Sequence, residues 1–210
     1  MLRQGPNYAP DLYACHWRGE RLIVKDYAAK AWIWRHLLGR FLIRREARAL
    51  RSLAGLEGIP QYRGCPDALS LVMTAVPGEP LHTAAGQQRL GNGFMTLLED
   101  LVAEMHRRGV VHLDLQHRGN ILVSADGRPG LLDFTSALRF RTSWWGGRWA
   151  VRVLGRFDHL ALIKWKARLA PRYLTREEAR WAQLLRRVRS VWLPRRLMDA
   201  FFDTVRREES

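Results

Sequence analysis

Between Val111 and Thr135 the chain gathers residues of the types that handle protons and metal ions. Val111-His-Leu-Asp-Leu-Gln-His-Arg-Gly-Asn-Ile-Leu-Val123 contributes His112, Asp114 and Asn120, and Leu131-Leu-Asp-Phe-Thr135 contributes Asp133. One carboxylate can take or orient a hydroxyl proton, while a second carboxylate and an amide oxygen can hold a hard cation such as magnesium. Polar loop residues could fall in this order by chance. Their placement at the junctions of a helix, a loop and a hairpin is what argues for a site.

Those junctions follow from the surrounding pattern. Phe94, Leu97, Leu98, Leu101, Val102 and Met105 recur at i, i+3, i+4, i+7, i+8 and i+11, which predicts an amphipathic helix ending at Gly109. The apolar runs Ile121–Val123 and Leu131–Leu132 flank the turn Asp126–Gly127 and predict a small hairpin. The first third reads as strands around one helical stretch. Arg21–Tyr27 follows a turn at Arg18–Gly19, Leu69–Val76 is a second apolar strand, and a helix runs from about Ala31 to Ala54 with Gly39 as a candidate break. Pro77-Gly-Glu-Pro80 interrupts the pattern and marks the expected hinge, with an N-lobe at 1–76 and a mainly helical C-lobe at 81–210. Thr175-Arg-Glu-Glu178 is a capping box for a last helix, whose apolar face would carry Trp181, Leu184, Leu185, Val188, Val191 and Trp192.

A second charged pair is expected in the first third. Glu46 lies four residues after Leu42 and four before Leu50, on the apolar face of its helix. A carboxylate pointing into a core is costly unless a cation meets it. Lys25, on the strand Arg21–Tyr27, is the natural partner. The alternatives are a Glu46 at the helix edge paired with Arg45, and a solvated Lys25.

His-x-Asp, a downstream Asn before an apolar strand, and Asp-Phe about a dozen residues later resemble the catalytic core of the protein-kinase-like phosphotransferases. The resemblance implies a two-lobed α+β fold, with a small strand-rich N-lobe and a helical C-lobe. It also implies ATP and Mg2+ as cofactors. Phosphoryl transfer is mainly positioning and charge neutralisation. Carried over residue by residue, Asp114 is the catalytic carboxylate, Asn120 and Asp133 hold metal, and His112 is a structural brace. Lys25 and Glu46 serve the nucleotide phosphates, Met73, Thr74 and Ala75 present backbone groups to adenine, and Asp158, just before an expected helical run from Leu160 to Leu169, braces the catalytic loop.

Within the superfamily, Arg44-Arg-Glu-Ala-Arg-Ala-Leu50, Val72-Met-Thr-Ala-Val-Pro-Gly-Glu-Pro80 and His-x-Asp-Leu resemble the RIO-type kinases and the bacterial lipopolysaccharide core kinases, which phosphorylate a Kdo or heptose hydroxyl. The implied activity is phosphate transfer to an alcohol, foremost a sugar hydroxyl of the lipopolysaccharide core. The alternatives are a RIO-like Ser/Thr protein kinase and an inactive pseudokinase that acts as an interaction module. Four features depart from the pattern: no Gly-rich loop precedes Lys25, Leu113 replaces an arginine, Asn120 lies six positions after Asp114 rather than five, and Thr135 stands where many kinases carry glycine.

After Asp133, where a kinase receives its acceptor, Arg139, Arg141, Arg148, Arg152 and Arg156 interleave with Trp144, Trp145 and Trp149. Arginines bind phosphate or carboxylate groups bidentately, and tryptophan favours the membrane interface. The segment is expected to contact an anionic glycolipid acceptor or an acidic membrane surface, the alternative being a buried aromatic patch under solvated arginines. No nucleic-acid motif accompanies it, so nucleic acid is not the expected partner, and a monomer is expected.

Composition sets the outer bounds. The 210 residues are 47% hydrophobic and 26% charged, which excludes a disordered chain. Lys and Arg total 35 against 20 Asp and Glu, for a net charge of +15, and Lys25, Lys30, Lys164 and Lys166 are the only lysines. Such a surface attracts anions. The two cysteines, Cys15 and Cys65, fit no metal spacing and no disulfide framework, which predicts a reducing compartment. Neither a signal peptide nor a run of 18 apolar residues is present. The expected location is cytoplasmic, peripheral on the inner face of the inner membrane.

Overall fold

The computed structural model describes residues 2, 4–6, 9–32, 34–83, 87–91, 93–169, 171 and 174–187. It divides into two compact units, Met1–Leu162 and Ile163–Ser210. All the chemistry considered below, from Lys25 to Asp158, lies in the first.

That unit opens on an antiparallel sheet in the order β1-β2-β4-β3, formed by β1 (Asp11–Trp17), β2 (Glu20–Asp26), β3 (Tyr62–Gly64) and β4 (Ser70–Thr74). β1 and β2 join through the two-residue turn Arg18–Gly19, both at positive φ, which suits the twist of a tight hairpin. This short turn stands where a Gly-rich loop would otherwise project. The expected long helix is present in two parts, a π-helical turn over Trp34–Gly39 and then α1 (Arg40–Ser52), so the change occurs at Gly39. α1 buries Ile43, Glu46, Ala47, Ala49 and Leu50, and it packs against β3, β4 and the segment that follows Asp133.

β5 (Glu79–Pro80) falls inside the Pro/Gly cluster and forms the edge of a three-stranded sheet, β5-β7-β8, with β7 (Ile121–Val123) and β8 (Pro129–Leu131). An edge position is where a strand proline is tolerated, because its missing N–H removes no inner ladder bond. α2 (Phe94–Arg107) buries Phe94, Met95, Leu98, Leu101, Val102 and Met105. Leu97, expected on that face, is exposed, since the buried stripe turns toward Met95. Gly109 closes the helix at φ 81°, its amide bonded to the His106 carbonyl, and the Phe140 backbone passes too close there for any Cβ.

β6 (Val110–Val111) pairs with β9 (Leu138–Arg139), so the residues on either side of the segment from His112 to Ala137 are tied together. α3 (Trp145–Leu169) follows. The expectation of a helix only from Leu160, with Asp158 before it, is corrected: Asp158 lies well inside α3 and faces the core. Gly146, Gly147 and Gly155 suppress the helical signal in sequence, but two of them sit in the first turn of the helix.

In the second unit, Thr175 and Glu178 form the reciprocal capping box that opens α4 (Arg176–Arg187), with Thr175 N–H donating to Glu178 Oε2 at 2.7 Å and Glu178 N–H to Thr175 Oγ1 at 3.2 Å. Of its expected apolar face, Trp181 is half exposed. Val188, Val191 and Trp192 lie outside the described residues.

Candidate active site

Lys25 enters from near the end of β2, where it pairs with Leu71 of β4 and its side chain is almost fully buried. Its ammonium lies 2.7 Å from Glu46 Oε1 and 2.7 Å from Asp133 Oδ1. Glu46 is buried in α1, so the cation meets the core carboxylate, and neither the edge arrangement nor a solvated Lys25 is found. Arg45 turns the other way and donates to the carbonyls of Ala137 and Ser136.

Thr135 occupies the centre of this cluster, a role its sequence position did not suggest. Its Oγ1 lies 2.6 Å from Asp133 Oδ1, 3.1 Å from Glu46 Oε2 and 3.2 Å from Lys25 Nζ. A hydroxyl can accept from the ammonium while donating to one carboxylate. A glycine at this position would leave one oxygen of Glu46 with less to bond.

The charges shift one another accordingly. Burial alone would pull the Lys25 ammonium down, but the carboxylates of Asp133 and Glu46 outweigh it and hold the group above the ordinary lysine range. The same ammonium holds Asp133 well below the usual carboxylate range. Burial pushes Glu46 up despite Lys25 beside it.

The segment from His112 to Asn120 is set from beneath. His112 is fully buried, with its ring 4.7 Å from that of Phe134. Its Nε2 lies 2.9 Å from the Leu132 carbonyl, which can only accept, and its Nδ1 faces the Asp114 amide at 3.3 Å, which can only donate. These neighbours place the ring proton on Nε2. Asp158 of α3 accepts the His112 amide and the Leu113 amide, each at 2.8 Å, and the His106 ring at 2.9 Å.

Asp114 and Asn120 are in direct contact. The Asn120 amide nitrogen donates to the Asp114 carbonyl at 2.9 Å and to Asp114 Oδ2 at 3.0 Å. The extra residue between them is taken up by tight turns, with His117 N–H bonded to the Asp114 carbonyl and Asn120 N–H to the His117 carbonyl. Burial raises the Asp114 carboxyl above the ordinary aspartate range, and the charge on Asp133 adds to the effect. Asp114 and Asp133 therefore act on one another across the same site.

The backbone expected to meet adenine is partly engaged within the fold. Thr74 N–H donates to the Gln61 carbonyl at 2.9 Å and Ala75 N–H to the Arg21 carbonyl at 2.8 Å, and Met73 pairs with both Ile23 and Tyr62 within the sheet. These amides are spent within the fold, and any donor to a base must come from another group.

The donor set fits magnesium. The Asp133 side chain is half exposed, and its bonds to Lys25 and Thr135 all fall on Oδ1. With Nδ2 turned to Asp114, the oxygen of Asn120 is the atom left for a cation. Among the described residues no group of three or more His, Cys, Asp or Glu could form a complete metal cage. Few protein oxygens, completed by substrate phosphates, is the usual pattern for magnesium.

Outside the cluster, Arg139, Arg141, Trp144, Trp145, Arg148 and Trp149 are all exposed. The buried aromatic patch is therefore not formed.

No protein-family model matches this chain, and no curated protein matches it. Among solved structures it is similar to the Rio2 kinase of Chaetomium thermophilum, in its ADP/Mg2+-phosphoaspartate complex, with a TM-score of 0.55 and 14% identity. The match covers 87% of this chain and 60% of that one, so the chain spans about three fifths of the kinase's length. At this identity the likeness shows the fold: an α+β protein-kinase-like architecture, with an N-terminal antiparallel sheet followed by helices.

Proposed function

We propose that this chain is an ATP- and Mg2+-dependent phosphotransferase that acts on an alcohol group. The observation that carries the reading is the convergence of Lys25, Glu46 and Asp133 beside the Asp114–Asn120 pair. In this reading Lys25, steadied by Glu46, neutralises nucleotide phosphates. Asp133 and Asn120 hold Mg2+, which supplies charge neutralisation at the phosphates when bound. Asp114 orients the acceptor hydroxyl and receives its proton, for which a carboxyl raised by burial is better matched than an ordinary aspartate.

The acceptor we favour is a sugar hydroxyl of the lipopolysaccharide core, presented on an anionic glycolipid at the inner face of a bacterial inner membrane. The exposed arginines beyond β9 support it, since they match an acceptor rich in phosphate and carboxylate. A RIO-like Ser/Thr protein kinase is the second reading, supported by the fold of Rio2 kinase. The test is transfer of labelled γ-phosphate, with Mg2+, to separated glycolipid and protein fractions. Label in the core glycolipid is expected. Label in protein alone would replace the acceptor, and no label in either would favour a pseudokinase.

A further inference from the structure

The start of α3 and the residue just before it carry three neighbouring tryptophans in solvent. Trp144, Trp145 and Trp149 are 54%, 72% and 60% exposed. Helical phase places Trp145, Trp149, Arg152 and Arg156 on one face at i, i+4, i+7 and i+11, with Arg148 at its edge. Gly147, Gly155, Asp158, Ala161 and Leu162 take the buried side.

The backbone is shaped to present this face. A Cβ on Gly147 would fall 1.8 Å from the Arg141 carbonyl oxygen, and one on Gly146 would fall 2.4 Å from the Trp144 ring. The turn from Arg141 to Trp144 therefore lies directly on the first turn of α3. The Trp144 carbonyl accepts the Arg148 amide, and its ring meets that of Trp145 edge-on, with centroids 5.7 Å apart. Clustered indoles left in water are a larger apolar patch than scattered surface residues make.

Charge complementarity selects the occupant. No Asp or Glu occurs from Arg139 to Arg156, and the five arginines there form no ion pair among the described residues. We propose that this face docks on an anionic lipid bilayer, with Trp145 and Trp149 at headgroup depth and Arg148, Arg152 and Arg156 on lipid phosphates. Indoles favour that depth, and arginines beside them are drawn to the anionic surface. No helix among the described residues is long and apolar enough to cross a membrane, so the contact is peripheral. The proposal does not rest on phosphotransfer, and either reading can fail alone.

The test uses the full chain with phosphatidylcholine vesicles, with and without phosphatidylglycerol, and with brominated lipid to quench indoles at headgroup depth. Parental protein is expected to bind the anionic vesicles at low salt, with quenched emission, and to keep a residual salt-resistant part. Arg148→Gln with Arg152→Gln should lower low-salt partitioning about fivefold for each arginine removed. Trp145→Ser with Trp149→Ser should abolish the residual part and most of the quenching, while its unfolding midpoint stays at the parental value. Binding without bromolipid quenching, equal quenching in the tryptophan variant, or binding to single-stranded RNA in preference to the vesicles would each overturn it.

Discussion

The amide of Leu113 donates to Asp158 Oδ1 at 2.8 Å, and Leu113 sits at φ 66°, in the left-handed region. A branched side chain is rarely found there, and such a conformation costs on the order of 1–3 kcal/mol. It persists because a buried carboxylate from α3 takes that amide and the His112 amide together. The loop that ends in Asp114 is thus shaped by a residue 45 positions away.

Replacing Asp158 by Ala would leave two backbone donors and the His106 ring without their acceptor. Each unsatisfied buried donor costs about 1–3 kcal/mol. Denaturant unfolding should show a loss of about 3 kcal/mol or more. Adding Leu113→Gly should recover part of it, because glycine adopts φ 66° without strain. No recovery would place the cost elsewhere than in the loop.

Lys25→Met removes the cation from a buried carboxylate, and breaking such a pair costs about 3–5 kcal/mol. The double change Lys25→Met with Glu46→Leu should be more stable than Lys25→Met alone, since the buried carboxylate is then gone and the remaining one, Asp133, is half exposed to water. Both should lose nucleotide binding. The check is a double-mutant cycle by chemical unfolding, beside titration with an ATP analogue.

Asp133 and Asp114 are shifted in opposite directions, so acid acts on them over different pH ranges. Lys25 holds Asp133 low when folded, so its stabilising contribution is complete above the ordinary aspartate pKa, near 4, and fades as pH falls through the lowered folded value. The difference in unfolding midpoint between parent and Asp133→Asn should be full at neutral pH and shrink below about pH 4. Asp114 is raised by burial, so the acid limb of kcat/KM should lie above about pH 4. A pH series of melts and of rates separates the two.

The Lys25–Glu46 pair was legible because helical spacing put a carboxylate between leucines, and a buried charge demands a partner. Asp114, Asn120 and Asp133 were legible because they lie within 20 residues of one another, between a long amphipathic helix and a hairpin. Asp158 was placed outside its helix because Gly146, Gly147 and Gly155 mask the helical period. β5, β6 and β9 have two residues each, too few to show alternation. That the Thr74 and Ala75 amides are bonded within the fold was not legible, because side-chain pattern says nothing of which carbonyls take an amide. The role of Thr135 was not legible, since only the fold brings its hydroxyl to Glu46, 89 positions away.

The assignment of Asp114 to the acceptor is tested most directly by Asp114→Ala. Phosphate transfer from labelled ATP and affinity for the Mg2+–nucleotide are measured on the same preparations. Loss of a group that takes the hydroxyl proton lowers the rate by about 10²–10⁴, while Lys25 and Asp133 keep the nucleotide in place. The account predicts that drop with nucleotide affinity within a few-fold of the parent. Transfer at the parental rate, or a loss of affinity as large as the loss of rate, would contradict it.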